Sequence, residues 1–155
     1  MSGGPWRIAD LLPHAGPAVL LDEFLASTDT GLSACVTIGP GSPFHQDNGV
    51  PAHVGLEYMA QACGAFSGVR ARLAGAAPRM GLLLGTRRYL ATRAWFVDGE
   101  RLEVAVDLVY RDDEVGVFDC VIRSANETVA TAQLIVAEPR NVAGLLGRQN
   151  GMDDG

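Results

Sequence analysis

The feature that most constrains the fold of this chain is one long apolar stretch, VPAHVGLEYMAQACGAFSGVRA, at residues 50–71. Its apolar residues recur around most of a helical circumference, which is typical of a helix that is covered on nearly all sides. Pro51 suits a first helical turn, and Asp47 or Asn48 can act as the cap. The sequence therefore predicts a largely buried helix over residues 51–73.

Strand-like segments lie on both sides of this helix in the sequence. Two precede it, AVLLDEFLAST and GLSACVTIG, and the turn residues TDTG between them predict a hairpin. Four follow it, MGLLLGTRRYLA, ERLEVAVDLVYRD, VGVFDCVIRS and ETVATAQLIVAE, and the short polar connections DDEVG and SANE favour an antiparallel meander for this C-terminal half. Small residues along the helix allow a sheet to approach closely. We therefore predict an α+β architecture in which a curved antiparallel sheet wraps one long central helix.

The length and charge of the chain limit its number of domains, its location and its partners. A chain of 155 residues suits one domain, which we place at residues 1–138, followed by a C-terminal tail at residues 139–155. No apolar run approaches the roughly 20 residues of a membrane span, and the first residues lack the pattern of a secretion signal, so we expect a cytoplasmic protein. The net charge of −6 argues against a nucleic-acid partner, because phosphate binding needs a surplus of basic residues.

The three cysteines, Cys35, Cys63 and Cys120, have wide and irregular spacings and apolar neighbours. This arrangement predicts buried free thiols, rather than a disulfide or a metal site. The three histidines and the cysteines match no zinc-ligand spacing, so we expect no metal.

The basic residues of the chain are unevenly distributed. All 12 are Arg, and residues 58–97 contain six of them with no Asp or Glu. These six are Arg70, Arg72, Arg79, Arg87, Arg88 and Arg93. The segment predicts either ordinary solvated arginines or a docking face for an acidic partner or a phosphate-bearing cofactor.

A narrow polar stripe runs along the apolar helix. At 3.6 residues per turn, His53, Glu57, Gln61 and Gly64 share one face, while most other positions are apolar. A carboxylate on a mostly buried helix is costly unless it is paired, hydrogen-bonded or protonated. Glu57 is therefore either a structural partner of His53 or of an Arg, a residue at a solvated edge, or an active-site acid in a tunnel between helix and sheet.

Several motifs along the chain carry a resemblance to a known family. They are the LPH opening that ends at His14, Pro51 ahead of the helix, Glu57 followed by Gln61 four residues later, and Gly99 ahead of a long strand. Over residues 11–138 their order resembles the FabZ-like 3-hydroxyacyl-[acyl-carrier-protein] dehydratases of the hotdog fold. The chain is most similar to the shorter ApeP-like relatives from aryl polyene pigment clusters.

The resemblance implies a fold, a reaction and partners. In such dehydratases a His and an acid from the two subunits of a dimer remove the C2 proton and protonate the departing 3-hydroxyl. The product is a trans-2-enoyl thioester, and backbone N–H groups at the helix start polarise the thioester carbonyl. We therefore expect a hotdog domain that works as a homodimer or as a heterodimer with another hotdog subunit. An acidic acyl carrier protein would deliver the substrate on phosphopantetheine, with no other cofactor.

The resemblance also assigns candidate residues. Glu57 stands at the position of the helix acid, and His14, Gln61 and Gly64 are expected at the substrate-binding site. We expect Arg87 and Arg88 to contact the carrier protein.

The family His lies in a GHFPG loop before the helix, and the corresponding loop is shorter here and reads FHQDNGVP. His45 in this loop and His53 one turn before Glu57 are the candidate catalytic histidines. Two alternatives stay open, the first because of the shorter loop and the second because hotdog hydrolases also use an acid on the helix. One is a non-catalytic hotdog subunit that completes a heteromeric dehydratase, and the other is an acyl thioesterase that uses the helix acid to activate water.

Overall fold

The structure is a computed structural model that describes residues 6–13, 19–79, 81–112 and 114–137. Its elements, in chain order, are helix α1 (Ile8–Leu11), strands β1 (Glu23–Ser27), β2 (Gly31–Thr37) and β3 (Gly49–Pro51), a 3-10 turn (Ala52–Val54), helix α2 (Gly55–Leu73), and strands β4 (Leu82–Ala91), β5 (Trp95–Val97), β6 (Arg101–Asp112), β7 (Val115–Ser124) and β8 (Glu127–Ala137). The predicted site residue His14 and the predicted tail at 139–155 lie outside the described residues.

The main sheet has six antiparallel strands in the order β1-β2-β6-β7-β8-β4. The β1–β2 hairpin and the β6–β7–β8 meander are as predicted from the short polar turns. Strand β4 departs from the predicted meander. It pairs with β8 at the far edge of the sheet rather than with its sequence neighbour β6. The chain between them forms β5, which pairs with β3 in a separate two-stranded sheet. Strands of three residues are too short to produce a periodic pattern in the sequence.

Helix α2 lies against the concave side of the main sheet and contacts β2, β6, β7 and β8. Its apolar side chains fill the core, as predicted: Tyr58, Met59, Ala62, Cys63, Phe66 and Val69 are all buried. The Phe66 ring meets the Phe118 ring edge to face, with centroids 5.6 Å apart. Helix α1 covers a further part of α2, and a Cβ at Gly68 would collide with the backbone carbonyl of Leu11. The long helix therefore has little free surface.

The start of the long helix differs from the prediction. Pro51 does not occupy the first turn of α2, because it lies in strand β3 with an extended ψ of 137° and pairs with Trp95. Neither Asp47 nor Asn48 caps the helix, because the N-cap residue is Val54, whose side chain forms no capping hydrogen bond. A 3-10 turn replaces the cap, in which the Gly55 N–H bonds to the carbonyl of Ala52. The predicted C-terminal end at Leu73 is confirmed.

All three cysteines are free and buried, as predicted. The thiol of Cys63 on α2 lies beside that of Cys120 on β7, and burial together with a hydrogen bond to Cys120 raises the pKa of Cys63 well above its usual value. Such thiols are poor nucleophiles. Within the described ranges, no helix is long and apolar enough to cross a membrane.

Candidate functional site

Glu57 and His53 lie on exposed surface at the N-terminal end of the central helix. Glu57 is in the first turn of α2, and His53 is in the 3-10 turn that precedes it. Both side chains are exposed in the single chain. Among the residues that the structure describes, neither forms a hydrogen bond or an ion pair, so His53 is not the structural partner of Glu57. An otherwise buried helix thus presents a solvated carboxylate and an imidazole at its positive end.

Gln61 continues the stripe but has a different environment. It is the only buried polar or charged side chain in the described part of the chain. Its Oε1 accepts hydrogen bonds from the backbone N–H groups of Leu20 at 2.8 Å and Leu21 at 3.2 Å. The side chain therefore ties the helix to the segment that leads into β1. Gly64, one turn further on, is half-buried, and a Cβ there would lie at an ordinary 3.5 Å from the Leu12 side chain.

His45 is partly buried and contacts an acidic residue. Its Nε2 lies 2.8 Å from Oδ1 of Asp98, a residue in the turn between β5 and β6. The side chain of His45 is 16% exposed and that of Asp98 is 34% exposed. The sequence motifs did not single out Asp98, because 53 residues separate it from His45.

Three arginines of the cationic segment, residues 58–97, form bonds within the fold. Arg70 donates to the backbone carbonyl of Asp29, Arg72 donates to that of Asp10, and Arg93 forms an ion pair with Glu100. These three arginines therefore join α2 and the β4–β5 connection to neighbouring elements.

Arg87 and Arg88 differ from those three arginines, because neither side chain bonds to another described residue. Both are exposed on β4, the edge strand of the main sheet. Arg88 has a φ of +55°, and the pairing register with β8 shifts between Arg87 and Leu90. This irregularity lies beside the two side chains that the sequence assigned to carrier docking.

Two tyrosines lie near the start of α2: Tyr58 belongs to the helix itself, and Tyr89 reaches it from β4. The Tyr89 hydroxyl donates a hydrogen bond to the carbonyl of Ala52, and a Cβ at Gly55 would collide with that hydroxyl. Burial raises the pKa of Tyr89 to about 12. Burial, and then the charge of Asp22, raise the pKa of Tyr58 to about 12 as well. Both phenols are therefore neutral at physiological pH, and Tyr89 fixes the turn from which Glu57 projects.

Two open cavities flank this region. One, of about 390 Å³, is lined by the segment before β1, the end of β2 and Tyr58. The other, of about 340 Å³, is lined by residues 46–49 together with Trp95 and Val97. Glu57 lines neither cavity. In the single chain its carboxylate is therefore exposed rather than enclosed between helix and sheet.

Comparison with known proteins gives one family match. The family model described as ApeP dehydratase (ApeP-like) matches residues 6–147. None of the curated proteins matches the chain significantly.

Solved structures give a match over nearly the whole chain. The dehydratase heterocomplex ApeI:P from Xenorhabdus doucetiae is 27% identical with a TM-score of 0.87, covering 95% of this chain and 99% of the other. A hypothetical thioesterase protein with coenzyme A from Streptococcus pneumoniae TIGR4 is 13% identical with a TM-score of 0.61, covering 76% of this chain and 84% of the other. The PaaI protein of E. coli is 14% identical with a TM-score of 0.57, covering 74% and 81%. The latter two matches concern the fold alone, and the hotdog fold is confirmed.

Proposed function

The chain belongs to the ApeP-like dehydratase family, and we propose that it is a subunit of a 3-hydroxyacyl-[acyl-carrier-protein] dehydratase whose acid is Glu57. One observation carries the proposal. Glu57 is an exposed carboxylate in the first turn of a helix whose other faces are mostly buried. An unpaired acid at this place is available to a substrate and needs no rearrangement of the core.

The proposed reaction eliminates water from a 3-hydroxyacyl thioester. A base removes the C2 proton, and the C–H electron pair forms the C2–C3 double bond. The C3–O bond breaks, and the hydroxyl leaves as water after it receives a proton from an acid. Glu57 is the proposed acid, and His45 and His53 are the candidate bases. N–H groups at the start of α2, where the N-cap residue Val54 forms no side-chain cap, would polarise the thioester carbonyl.

A second hotdog subunit is the proposed partner. A catalytic acid benefits from exclusion of water, and a covering subunit would enclose Glu57. The related ApeI:P structure is a heterocomplex, which supports a heteromeric pair.

Strand β4 offers a place for this partner. It is a ten-residue edge strand that pairs on one side only within the described sheet. It exposes Leu83, Leu84 and Leu90. A long apolar edge of this kind favours addition of another strand. Size measurement of the chain alone and after co-expression with a second hotdog subunit tests this assignment, and Leu84→Lys on β4 should reduce pairing.

The experiment for the reaction uses a 3-hydroxyacyl thioester of an acyl carrier protein. The chain is assayed alone and in complex with a co-expressed hotdog subunit, and the enoyl thioester is followed by its ultraviolet absorbance. Glu57→Gln should abolish product formation, while Glu127→Gln, which changes an exposed carboxylate at the start of β8, should leave the rate unchanged. Absence of enoyl product from both the chain and the complex would overturn the proposal.

The two alternatives give different outcomes in the same assay. A non-catalytic subunit predicts that the complex retains full activity after Glu57→Gln. A thioesterase predicts release of the free carrier thiol without enoyl product. Measuring absorbance and free thiol in parallel separates all three.

Carrier docking is proposed for Arg87 and Arg88. Arg70, Arg72 and Arg93 bond within the fold, and Arg79 also has an interaction within the chain, which leaves Arg87 and Arg88 as the docking candidates among the six arginines. Reversal of both charges to Glu should raise the KM for a carrier-bound substrate more than the KM for a small thioester mimic. Arg111→Glu, on β6, is a control with the same change at an exposed arginine, and sizing of each variant verifies that the complex is intact. Equal effects on both substrates would contradict docking.

A further inference from the structure

His45 belongs to a connecting loop whose backbone is fixed at several points. The His45 N–H bonds to the carbonyl of Ser42 at 3.1 Å, and Gln46 and Gly49 exchange two backbone hydrogen bonds. Phe44 and Asp47, on either side of this segment, have positive φ values of 68° and 50°. Such conformations are uncommon for residues other than glycine, so the loop holds a specific path. That path carries the His45 ring to the β5–β6 turn.

Asp98 is fixed equally well from the other side. Its backbone N–H bonds to the carbonyl of Asn48 at 2.9 Å, and the N–H of the next residue, Gly99, bonds to the carbonyl of Ile38 at 2.8 Å. Gly99 has a φ of +89°, which favours glycine and sets the direction of the turn. The turn is therefore bonded to both ends of the loop that carries His45. Oδ1 of Asp98 reaches Nε2 of His45 across this junction at 2.8 Å.

This contact has a chemical consequence for the imidazole. An ionised carboxylate only accepts hydrogen bonds, so the neutral ring of His45 carries its proton on Nε2. Nδ1 then keeps its lone pair and is the basic nitrogen. The carboxylate also holds the imidazole ring in one orientation, which is one role of the Asp in a Ser-His-Asp triad.

We infer that Asp98 is a positioning residue for the proposed dehydration, and that His45 acts through Nδ1 as the base. The inference rests on the proposed function and selects between its two candidate histidines. His53 is exposed and has no carboxylate or other described partner to set its tautomer. In the reaction, Nδ1 of His45 takes the C2 proton, the C2–C3 double bond forms, and the 3-hydroxyl leaves as water with the proton of Glu57. Proton return from His45 to Glu57 through solvent restores both groups.

The test compares Asp98→Asn with Asp107→Asn, which alters an exposed carboxylate on β6. The first readout is the tautomer of neutral His45, measured by 15N NMR of the ring nitrogens with His45→Gln to assign the signals. The wild-type protein and Asp107→Asn should have the proton on Nε2, and Asp98→Asn should lose this preference. The second readout is turnover in the complex, where Asp98→Asn should lower kcat by about 10- to 100-fold with little change in KM. Asp98→Glu, which keeps the carboxylate, should recover part of both properties.

The outcomes separate this inference from the function on which it rests. An active wild-type complex in which Asp98→Asn changes neither the tautomer nor kcat would overturn the positioning role alone. If Asp98→Asn lowers only the urea midpoint and retains the tautomer and kcat, the contact between Asp98 and His45 is purely structural. That result would also overturn the positioning role. A wild-type complex that produces no enoyl thioester would overturn both the proposed function and the catalytic use of His45, even with the expected tautomer.

Discussion

The side-chain oxygen of Gln61 accepts hydrogen bonds from the consecutive backbone N–H groups of Leu20 and Leu21, 41 and 40 residues away in the chain. One side-chain amide oxygen thereby accepts from two backbone N–H groups that lie outside helices and strands, just before β1. The arrangement makes Gln61 a structural residue of the central helix, whether or not it also supports substrate hydrogen bonds.

Gln61→Met should therefore destabilise the fold. Each buried donor left unpaired costs about 1–3 kcal/mol, so we expect the free energy of unfolding to fall by roughly 2–4 kcal/mol. Urea unfolding at fixed protein concentration measures the change. Gln46→Met, at an exposed loop position, is the matched control and should change the free energy of unfolding by less than about 0.5 kcal/mol. Equal midpoints for the two variants would contradict this role of Gln61.

Two glycines of α2 should respond oppositely to the same substitution. Gly68→Ala places a Cβ against the carbonyl of Leu11, so we expect a net loss of about 1–3 kcal/mol as in other overpacked sites. Gly64→Ala meets only the Leu12 side chain at 3.5 Å and gains helix propensity of up to about 1 kcal/mol. Thermal and urea unfolding of both variants check the difference. A stabilising Gly68→Ala would mean that α1 does not pack closely on α2.

The two buried phenols should likewise differ when their hydroxyls are removed. Tyr89→Phe loses the hydrogen bond to Ala52 and should lower the free energy of unfolding by about 1 kcal/mol. The Tyr58 hydroxyl has no hydrogen-bond partner among the described residues, so Tyr58→Phe should be neutral or slightly stabilising. Because Tyr89 supports the turn before Glu57, Tyr89→Phe should also lower kcat of the dehydration, whereas a lower kcat in Tyr58→Phe alone would contradict this assignment.

Glu100 predicts a pH dependence of stability. Burial raises the pKa of this carboxyl, but hydrogen bonds from Ser124, Arg93 and the Val97 N–H outweigh it, so the pKa is lowered overall. The stabilisation is therefore complete above the unfolded-state pKa of about 4.3 and is lost as the pH falls through the lower folded-state pKa. Glu100→Gln should lower the free energy of unfolding by about 1–3 kcal/mol at neutral pH.

The difference between wild-type protein and Glu100→Gln should shrink in acid, as measured by urea unfolding from neutral pH to below pH 4. Glu103→Gln is the control, because its pair with Arg123 at 3.7 Å is exposed on both sides and should contribute little at any pH. A difference that stays constant on acidification would show that the charge of Glu100 is not what stabilises the turn.

The relation between sequence and structure is clearest at the central helix. Its apolar residues surround most of the helical circumference, and this local pattern predicted both the helix and the burial of Tyr58, Met59 and Phe66. The start of the helix was predicted less well. The extended conformation of Pro51 follows from pairing with Trp95, a partner 44 positions later, and no local pattern reports such a pairing.

Strand β4 likewise combines a locally predicted strand with a position that distant pairing decides. Its composition predicted a strand, but its place beside β8 depends on the crossover through β5 and on the curvature of the sheet around α2. The sequence favoured a simple meander because short connections usually join neighbouring strands. Strand order is a property of the whole chain, whereas strand formation is largely local.

The candidate site also has features that the sequence predicts and features that only the tertiary structure decides. The sequence by itself determined that an acid and a histidine stand at the start of an apolar helix, because helical spacing and a family motif are both read from neighbouring residues. Only the tertiary structure decided that Glu57 is exposed, that Gln61 is bonded inside the fold, and that His45 faces Asp98. Exposure and hydrogen bonding depend on which distant segments pack against a residue, and packing is settled by the fold as a whole.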